Sequence, residues 1–245
     1  MGRKSWALAG LLMAIIVTYL APSTILEKGT APIPAKLSPE DVLTGVEELS
    51  EAGATWETNW STGNETSFIK GTAIIEDDIR GILTTIRPDG TLGGETLVLW
   101  KNGTLETVGV VMFENLTIPK CRNGSMNESR AKSLVLPLVE IFAAFDLGFG
   151  NHSNSVESEC SENTCTVRVL RLSDNERIEG RAVFIGSRPS VIRVSISYDN
   201  TTRNTVVRFT YPGDETYEAV KRAIETKQRE LRRFCPPGET EDKGR

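Results

Sequence analysis

The chain has 245 residues, of which 25% are charged and 39% hydrophobic, and its net charge is −5. These values are ordinary for a globular protein and exclude a wholly disordered chain. Arg3 and Lys4 are the only charged residues before Glu27, so residues 27–245 carry −7, which argues against non-specific binding of nucleic acid or anionic lipid.

The first 26 residues have the pattern of a membrane-targeting segment. Met1–Lys4 is short and basic, and Trp6–Leu20 is almost wholly apolar. A helix over Trp6–Leu26 would be about 31 Å long, which is enough to cross the hydrocarbon core of a bilayer. The shorter apolar run also has the length of a cleaved signal peptide.

The sequence around Ala21 decides between an anchor and a cleaved signal. Signal cleavage needs small residues at positions −3 and −1, but cutting after Ala21 places Tyr19 at −3, and cutting after Ser23 places Pro22 at −2. We therefore favour an uncleaved single-pass anchor over residues 1–26. A cleaved, secreted form is the alternative, and a buried core helix is a third. The basic N-terminus stays inside, so the main domain lies outside the membrane in the first two cases.

A linker and a first helix follow. Residues 27–37 contain two prolines and a glycine without periodicity, which predicts a linker. Ser38–Asp41 is a helix start, with a capping serine, a proline and an acid, and the helix is predicted to run to about Ala52. The outer domain is predicted over 38–235, and residues 236–245 form a predicted disordered tail.

Strand patterns flank a central apolar helix. That helix spans Ser129–Leu147, and Pro137 would kink or divide it. Residues 114–128 and 151–164 are predicted as polar loops, and a last helix is predicted over about Glu215–Phe234. Nine segments rich in β-branched residues predict strands, at 54–60, 67–75, 79–87, 96–101, 104–113, 165–172, 180–186, 190–198 and 204–211. The predicted fold is α+β: one large curved antiparallel sheet with the helices on one face, preceded by the membrane helix.

Glycosylation sequons are far more frequent than chance predicts. Eight of the twelve asparagines stand in Asn-x-Ser/Thr, where chance would give about two. The excess indicates an extracellular glycoprotein with these positions at the surface. The eight are Asn59, Asn64, Asn102, Asn115, Asn123, Asn127, Asn151 and Asn200.

All four cysteines lie beyond the predicted anchor. An even number of cysteines in an outer domain indicates disulfides, and three pairings exist. We favour a local Cys160–Cys165 bond and a long-range Cys121–Cys235 bond. Zinc is the rival, but only one pair is close in sequence and its spacing does not suit a metal site, so we expect no metal and no cofactor.

The sequence offers little for catalysis, so we expect that the protein is not an enzyme. The one histidine, His152, lies in a polar segment and is predicted to be exposed in a loop. The acidic pairs Glu47-Glu48 and Asp77-Asp78 cannot by themselves place two carboxylates across a glycosidase cleft. No nucleophile-elbow motif or phosphate-binding glycine loop is present.

The apolar residues of the predicted strands and central helix allow two interpretations. A filled core is the simple one, and an apolar ligand pocket between a curved sheet and the central helix is the functional one. The candidate pocket residues are Trp56, Trp60, Trp100, Leu138, Ile141, Phe142 and Phe145.

The order of elements resembles the LolA/LppX family of lipoprotein and lipid carriers. The parallels over Leu37–Tyr211 are the capped helix SPEDVLTGVEEL leading into ATWETNW, the hairpin LVLWKNGTLETV, the helix SLVLPLVEIFAAF and the closing strands to FTY. The resemblance implies an open, strongly curved sheet around helices, with an apolar interior for acyl chains. The last helix, the bond to Cys235 and the sequons depart from that pattern.

These observations lead to one expected function and two alternatives. We expect a membrane-anchored extracytoplasmic glycoprotein that binds an apolar ligand or an envelope protein, without catalysis. A structural module of the envelope with no ligand cavity is the first alternative, and a secreted hydrolase is the second. A cavity between the sheet and the central helix would favour the ligand-binding function.

Overall fold

The computed structural model describes residues 36–113, 116–148 and 152–235. Within these ranges no helix is long and apolar enough to span a membrane. The predicted anchor over 1–26, most of the linker over 27–37 and the tail over 236–245 lie outside the described residues. Leu37, at the end of the predicted linker, is buried, and its backbone N–H donates to Ser158 Oγ at 3.2 Å, so this residue belongs to the fold.

Four helices and eleven strands make up the described chain. The helices are α1 (Pro39–Glu47), α2 (Glu128–Val135), α3 (Leu138–Phe145) and α4 (Glu215–Leu231). The first six strands are β1 (Ala52–Thr62), β2 (Glu65–Ile75), β3 (Asp78–Ile86), β4 (Leu92–Lys101), β5 (Thr104–Phe113) and β6 (Leu116–Ser125). The last five are β7 (Ser153–Ser161), β8 (Thr164–Leu172), β9 (Glu176–Ile185), β10 (Arg188–Tyr198) and β11 (Thr201–Thr210).

The strands form one antiparallel sheet, as predicted. Their order is β6-β5-β4-β3-β2-β1-β11-β10-β9-β8-β7, so β6 and β7 are its two edges and β1 and β11 lie at its centre. Helices α1, α2 and α3 cover one face, which we call the inner face, and they share its main hydrophobic core. The α+β prediction is therefore confirmed in outline.

The prediction that the helices lie on a single face is wrong for α4. Side chains alternate along β2, so Ala73 and Ile75 belong to the inner core, whereas Ile74 packs on Tyr217 and Ile224 of α4. Helix α4 thus covers the opposite, outer face of β1–β5. Strands β2–β5 therefore carry apolar residues on both faces, whereas β10 alternates the buried Ile192 and Val194 with the exposed Arg193.

Several predicted boundaries also change. Residues predicted as polar loops form β6 and β7, the two edge strands, which are mostly exposed and therefore lack an alternating apolar pattern. Helix α1 ends at Glu47 rather than near Ala52, because β1 begins there. The central helix is divided at Leu136-Pro137, the position where proline removes a backbone donor.

Two disulfides join the cysteines in the favoured pairing. Cys160 and Cys165 are directly opposite each other on β7 and β8, with Cα atoms 4.1 Å apart. Cys121 of β6 is bonded to Cys235, just beyond α4, across a sequence separation of 114 residues. The second bond therefore fastens the C-terminal helix to an edge strand.

Candidate functional site

Two strand glycines leave the space in which Trp56 and Val135 of α2 pack on the sheet. Gly71 is the cross-strand partner of Trp56, and a Cβ on Gly71 would lie 2.0 Å from the indole. A Cβ on Gly81 would lie 2.5 Å from Val135. The indole therefore lies flat against β2, and its Nε1–H donates to the Val135 carbonyl at 2.7 Å. This bond satisfies a carbonyl at the C-terminal end of α2 that has no partner within the helix.

The broken central helix divides its contacts between the two halves of the sheet. Helix α2 packs on β2, β3 and β4, and α3 packs on β8, β9 and β10. The break at Leu136-Pro137 lies between them. Strands β1 and β11, at the centre of the sheet, carry the residues that face this break.

A cavity of about 420 Å³ opens under the break, and we call it the tryptophan cavity. Its sheet wall is largely apolar and comes from neighbouring strands. The opposite wall is the connection between α2 and α3 with the first turn of α3. The principal lining residues are Trp56, Trp60, Ile69, Leu83, Leu138 and Val139. Its volume lies in the range of about 300–1,000 Å³ that is typical of small-molecule sites.

Polar side chains stand at one side of the tryptophan cavity. Arg203 of β11 and Glu140 of α3 both line it and form an ion pair at 3.0 Å. Thr58 also lines it, and its hydroxyl is hydrogen-bonded to Thr205 at 2.9 Å. The cavity therefore combines an apolar wall with a charged, hydrogen-bonding end, which is the pattern that orients an amphiphilic ligand.

A second, larger groove adjoins the cavity. It measures about 840 Å³ and lies between the end of α1, the first turns of α2, and α3. Ser133, Leu138 and Val139 line both spaces. Val139 is 73% exposed, although valine in an otherwise packed helix is usually covered. Leu138 and Val139 thus form an apolar ridge between the cavity and the groove.

The structure places the predicted pocket residues in four locations. Trp56, Trp60 and Leu138 come together around the tryptophan cavity, and Phe142 lines the adjoining groove. Ile141 and Phe145 are buried in the core, as the filled-core interpretation expects. Trp100 lies apart from the cavity, packed against the core with its Nε1–H donating to the Met126 carbonyl at 2.7 Å.

Sequence reasoning missed the buried Arg171, which positions α3. Its guanidinium donates to the carbonyls of Ala143 and Asp146, at 2.5 and 2.8 Å, where a cation is favoured by the helix dipole. Burial lowers the pKa of Arg171, and the charges of Asp146 and Glu176 oppose that shift. The only signal in the sequence is that Arg171 falls on the same side of β8 as the apolar Val167 and Val169.

The predicted exposure of His152 is wrong. Its side chain is 8% exposed, with Nδ1 at 3.2 Å from Arg171 Nη2 and Nε2 at 3.0 Å from Glu176. Since the guanidinium can only donate, Nδ1 accepts and Nε2 carries the proton. Both ring nitrogens are therefore engaged in a network that supports the end of α3. In the described part of the chain, no cluster of three metal-ligating side chains is present.

Six of the eight predicted glycosylation sites are described. Five of them are exposed: Asn64, Asn102, Asn123, Asn127 and Asn200. Asn59 is half-buried and accepts a hydrogen bond from Asn204. Asn115 and Asn151 lie outside the described residues. Asn127 caps α2 through its Oδ1, which accepts from Arg130 N–H at 2.9 Å, so its amide nitrogen stays available for a sugar.

Together, these features define an α+β protein with an open eleven-stranded antiparallel sheet and an amphipathic cavity at its centre. No protein-family model and no curated protein matches the chain. Among solved structures, a DUF1329 family protein from Desulfovibrio piger is 12% identical, with 79% of this chain and 99% of that chain covered, at a TM-score of 0.28. Proliferating Cellular Nuclear Antigen from Entamoeba histolytica is 9% identical, with 70% and 94% covered, at a TM-score of 0.15.

Proposed function

We propose that this protein is a membrane-anchored, extracytoplasmic binding protein that holds the apolar part of a lipid or similar amphiphile in the tryptophan cavity. The observation that carries the proposal is the space under the broken central helix, with tryptophans on the sheet side and the exposed Val139 at its margin. A carrier of the kind that the LolA/LppX resemblance implies would need such a space. Catalysis is not part of the proposal, because the cavity lining offers no nucleophile paired with a base.

The cavity wall favours a ligand with an apolar body. Trp56 is fixed by its bond to Val135 and by the flat contact with Gly71, so it offers a rigid surface at little entropic cost. Trp60, Ile69 and Leu83 extend this surface along three neighbouring strands. The Arg203–Glu140 pair gives the polar end of the ligand a partner at the edge of the cavity.

An outer location is supported by the cysteines and the sequons. Both disulfides use all four cysteines, and such bonds persist in oxidising compartments. The five exposed sequons would accept sugars without displacing core residues. The anchor over residues 1–26 remains a proposal from the sequence.

The test measures binding of a fluorescent fatty acid, dansylundecanoic acid, to the full-length chain held in lipid nanodiscs. Nanodiscs without protein give the background from partition into lipid. Val139→Glu removes an exposed apolar contact of about 1.5 kcal/mol and adds a charge, so we expect binding to weaken about tenfold or more. Solvent extraction and mass spectrometry of the natively purified protein identify a bound lipid and report sugars and anchor retention.

Ile185→Glu is the matched control. Ile185 is 59% exposed on β9 and does not line the cavity, so this variant carries the same kind of change elsewhere. It should bind the probe as the unaltered protein does. Equal weakening in both variants, or no binding above the nanodisc background, would contradict the proposed function.

A further inference from the structure

The β5–β6 hairpin exposes an apolar surface at the end where its strands join. Val111 is paired with Ile118, and Phe113 is paired with Leu116, so all four side chains lie on the inner-face side of the sheet. They are 38%, 42%, 62% and 58% exposed, respectively. Helix α2 makes its main packing contacts with β2, β3 and β4, and not with β5 or β6. We call Val111, Phe113, Leu116 and Ile118 the hairpin patch.

Basic side chains adjoin the hairpin patch on the same face. Lys120 and Arg122 are opposite Gly109 and Thr107, and both are exposed. Arg87 lies with its guanidinium carbon 5.8 Å from the centre of the Phe113 ring. Within β5 and β6 this face carries no carboxylate, since Glu106 lies on the outer face, where it binds Arg232. The described β5 and β6 residues of this face therefore contribute only positive charge, on a chain whose net charge is −5.

We propose that the hairpin patch, in protein that carries no sugar on Asn115, inserts into the interfacial region of an anionic lipid membrane, with Lys120, Arg122 and Arg87 against the headgroups. Exposed aromatic and aliphatic side chains next to lysine and arginine are the combination that binds such interfaces. Each basic residue near an anionic surface contributes about 1 kcal/mol. This docking does not depend on the tryptophan cavity, and it would hold the outer domain against a membrane beyond the tether.

Charge complementarity favours a membrane over a second copy of this chain. Edge strands that avoid pairing with each other carry proline and lysine, and β6 carries Pro119 and Lys120. Two copies joined along β6 would also place two strands that each carry Lys120 and Arg122 side by side. An anionic surface instead matches these charges.

The experiment places a tryptophan in the hairpin patch of the full-length protein reconstituted into vesicles. Phe113→Trp is compared with Ile185→Trp in vesicles of phosphatidylglycerol and brominated phosphatidylcholine, because bromine quenches tryptophan at the membrane interface. The four native tryptophans give the same background in both variants, and it is subtracted with the unaltered protein. We expect quenching at position 113 and none at position 185, where the side chain is equally exposed but lies on β9.

Lys120→Glu combined with Arg122→Glu tests the charge. Loss of two attractions of about 1 kcal/mol each shifts the ratio of docked to undocked domain by about 30-fold or more, so quenching at position 113 should be largely lost. Vesicles of neutral lipid alone should give the same loss. Leu116→Trp replaces Phe113→Trp if that variant does not fold.

Three results would overturn the proposal. They are equal quenching at positions 113 and 185, no quenching at either, and quenching at 113 that does not depend on the charged residues or lipid. A self-association that Phe113→Asp abolishes, seen by sedimentation in detergent, would assign the patch to a second copy instead. Probe binding in the tryptophan cavity is measured separately, so either proposal can fail alone.

Discussion

Replacing Gly71 with alanine tests whether the flat packing of Trp56 holds α2 on the sheet. The added Cβ would lie within 2.0–2.4 Å of three indole atoms, so the ring must move. Overpacking of this kind costs about 1–3 kcal/mol. Moving the ring also breaks the 2.7 Å bond to the Val135 carbonyl, and leaving a buried polar group unpaired costs about 1–3 kcal/mol. Gly71→Ala should therefore lower the free energy of unfolding by about 2–6 kcal/mol.

Urea unfolding followed by far-ultraviolet circular dichroism measures this change. Gly124→Ala is the control, because a Cβ on this edge-strand glycine meets nothing within 4 Å and the change should stay within about 0.5 kcal/mol. The near-ultraviolet spectrum should change in Gly71→Ala alone, since the indole leaves its fixed orientation. If both variants are equally stable, or if Gly71→Ala unfolds at lower urea with an unaltered tryptophan spectrum, the packing argument is wrong.

Two further predictions concern the fastening of α4. Replacing Cys121 and Cys235 by alanine should lower the free energy of unfolding by about 5 kcal/mol, whereas replacing Cys160 and Cys165 should lower it by about 2 kcal/mol. The difference arises because the sequence separations of the two bonds are 114 and 5 residues. Equal losses in urea unfolding would refute this prediction. Burial opposes ionisation of Glu76, but hydrogen bonds from residues of α4 outweigh it and lower its pKa below 4.5. Stability should fall as the pH drops below about 4.5, because Glu76 binds a proton more tightly in the unfolded chain than in the folded protein. Glu76→Gln should reduce this acid sensitivity in unfolding curves measured from pH 7 to 3, and an unchanged pH profile would contradict the assignment.

The sequence predicted those elements whose residues decide their structure locally. The serine cap and proline at Ser38–Asp41 start α1 as expected, with Ser38 Oγ accepting from the Asp41 N–H. An Asn-Gly pair favours a two-residue hairpin turn, and Asn102-Gly103 forms one, with positive φ at both positions. The division at Pro137 follows from the missing backbone donor. In each case the neighbouring residues alone supply the physical cause.

The sequence could not predict features that depend on distant partners. Strand β6 is polar along most of its length, and it is ordered by pairing with β5 and by the bond from Cys121 to Cys235. Helix α4 packs on the outer face against Ile74. The face to which Ile74 points is fixed by the register of β2 in the sheet, which the sequence alone does not give. Arg171 resembles any strand arginine until α3 brings the carbonyls of Ala143 and Asp146 to it.

The tryptophan cavity shows how a local prediction can have a consequence that only the fold reveals. A continuous helix over Ser129–Leu147 would lie across the sheet along one line. The break at Pro137 instead lets α2 pack on β2–β4 and α3 on β8–β10. The centre of the sheet, β1 with β11, then lies under the break, and Trp60 and Arg203 from these strands face a space that no helix fills. The site therefore exists because the helix is divided, and Leu138 and Val139, beside the break, line both the tryptophan cavity and the adjoining groove.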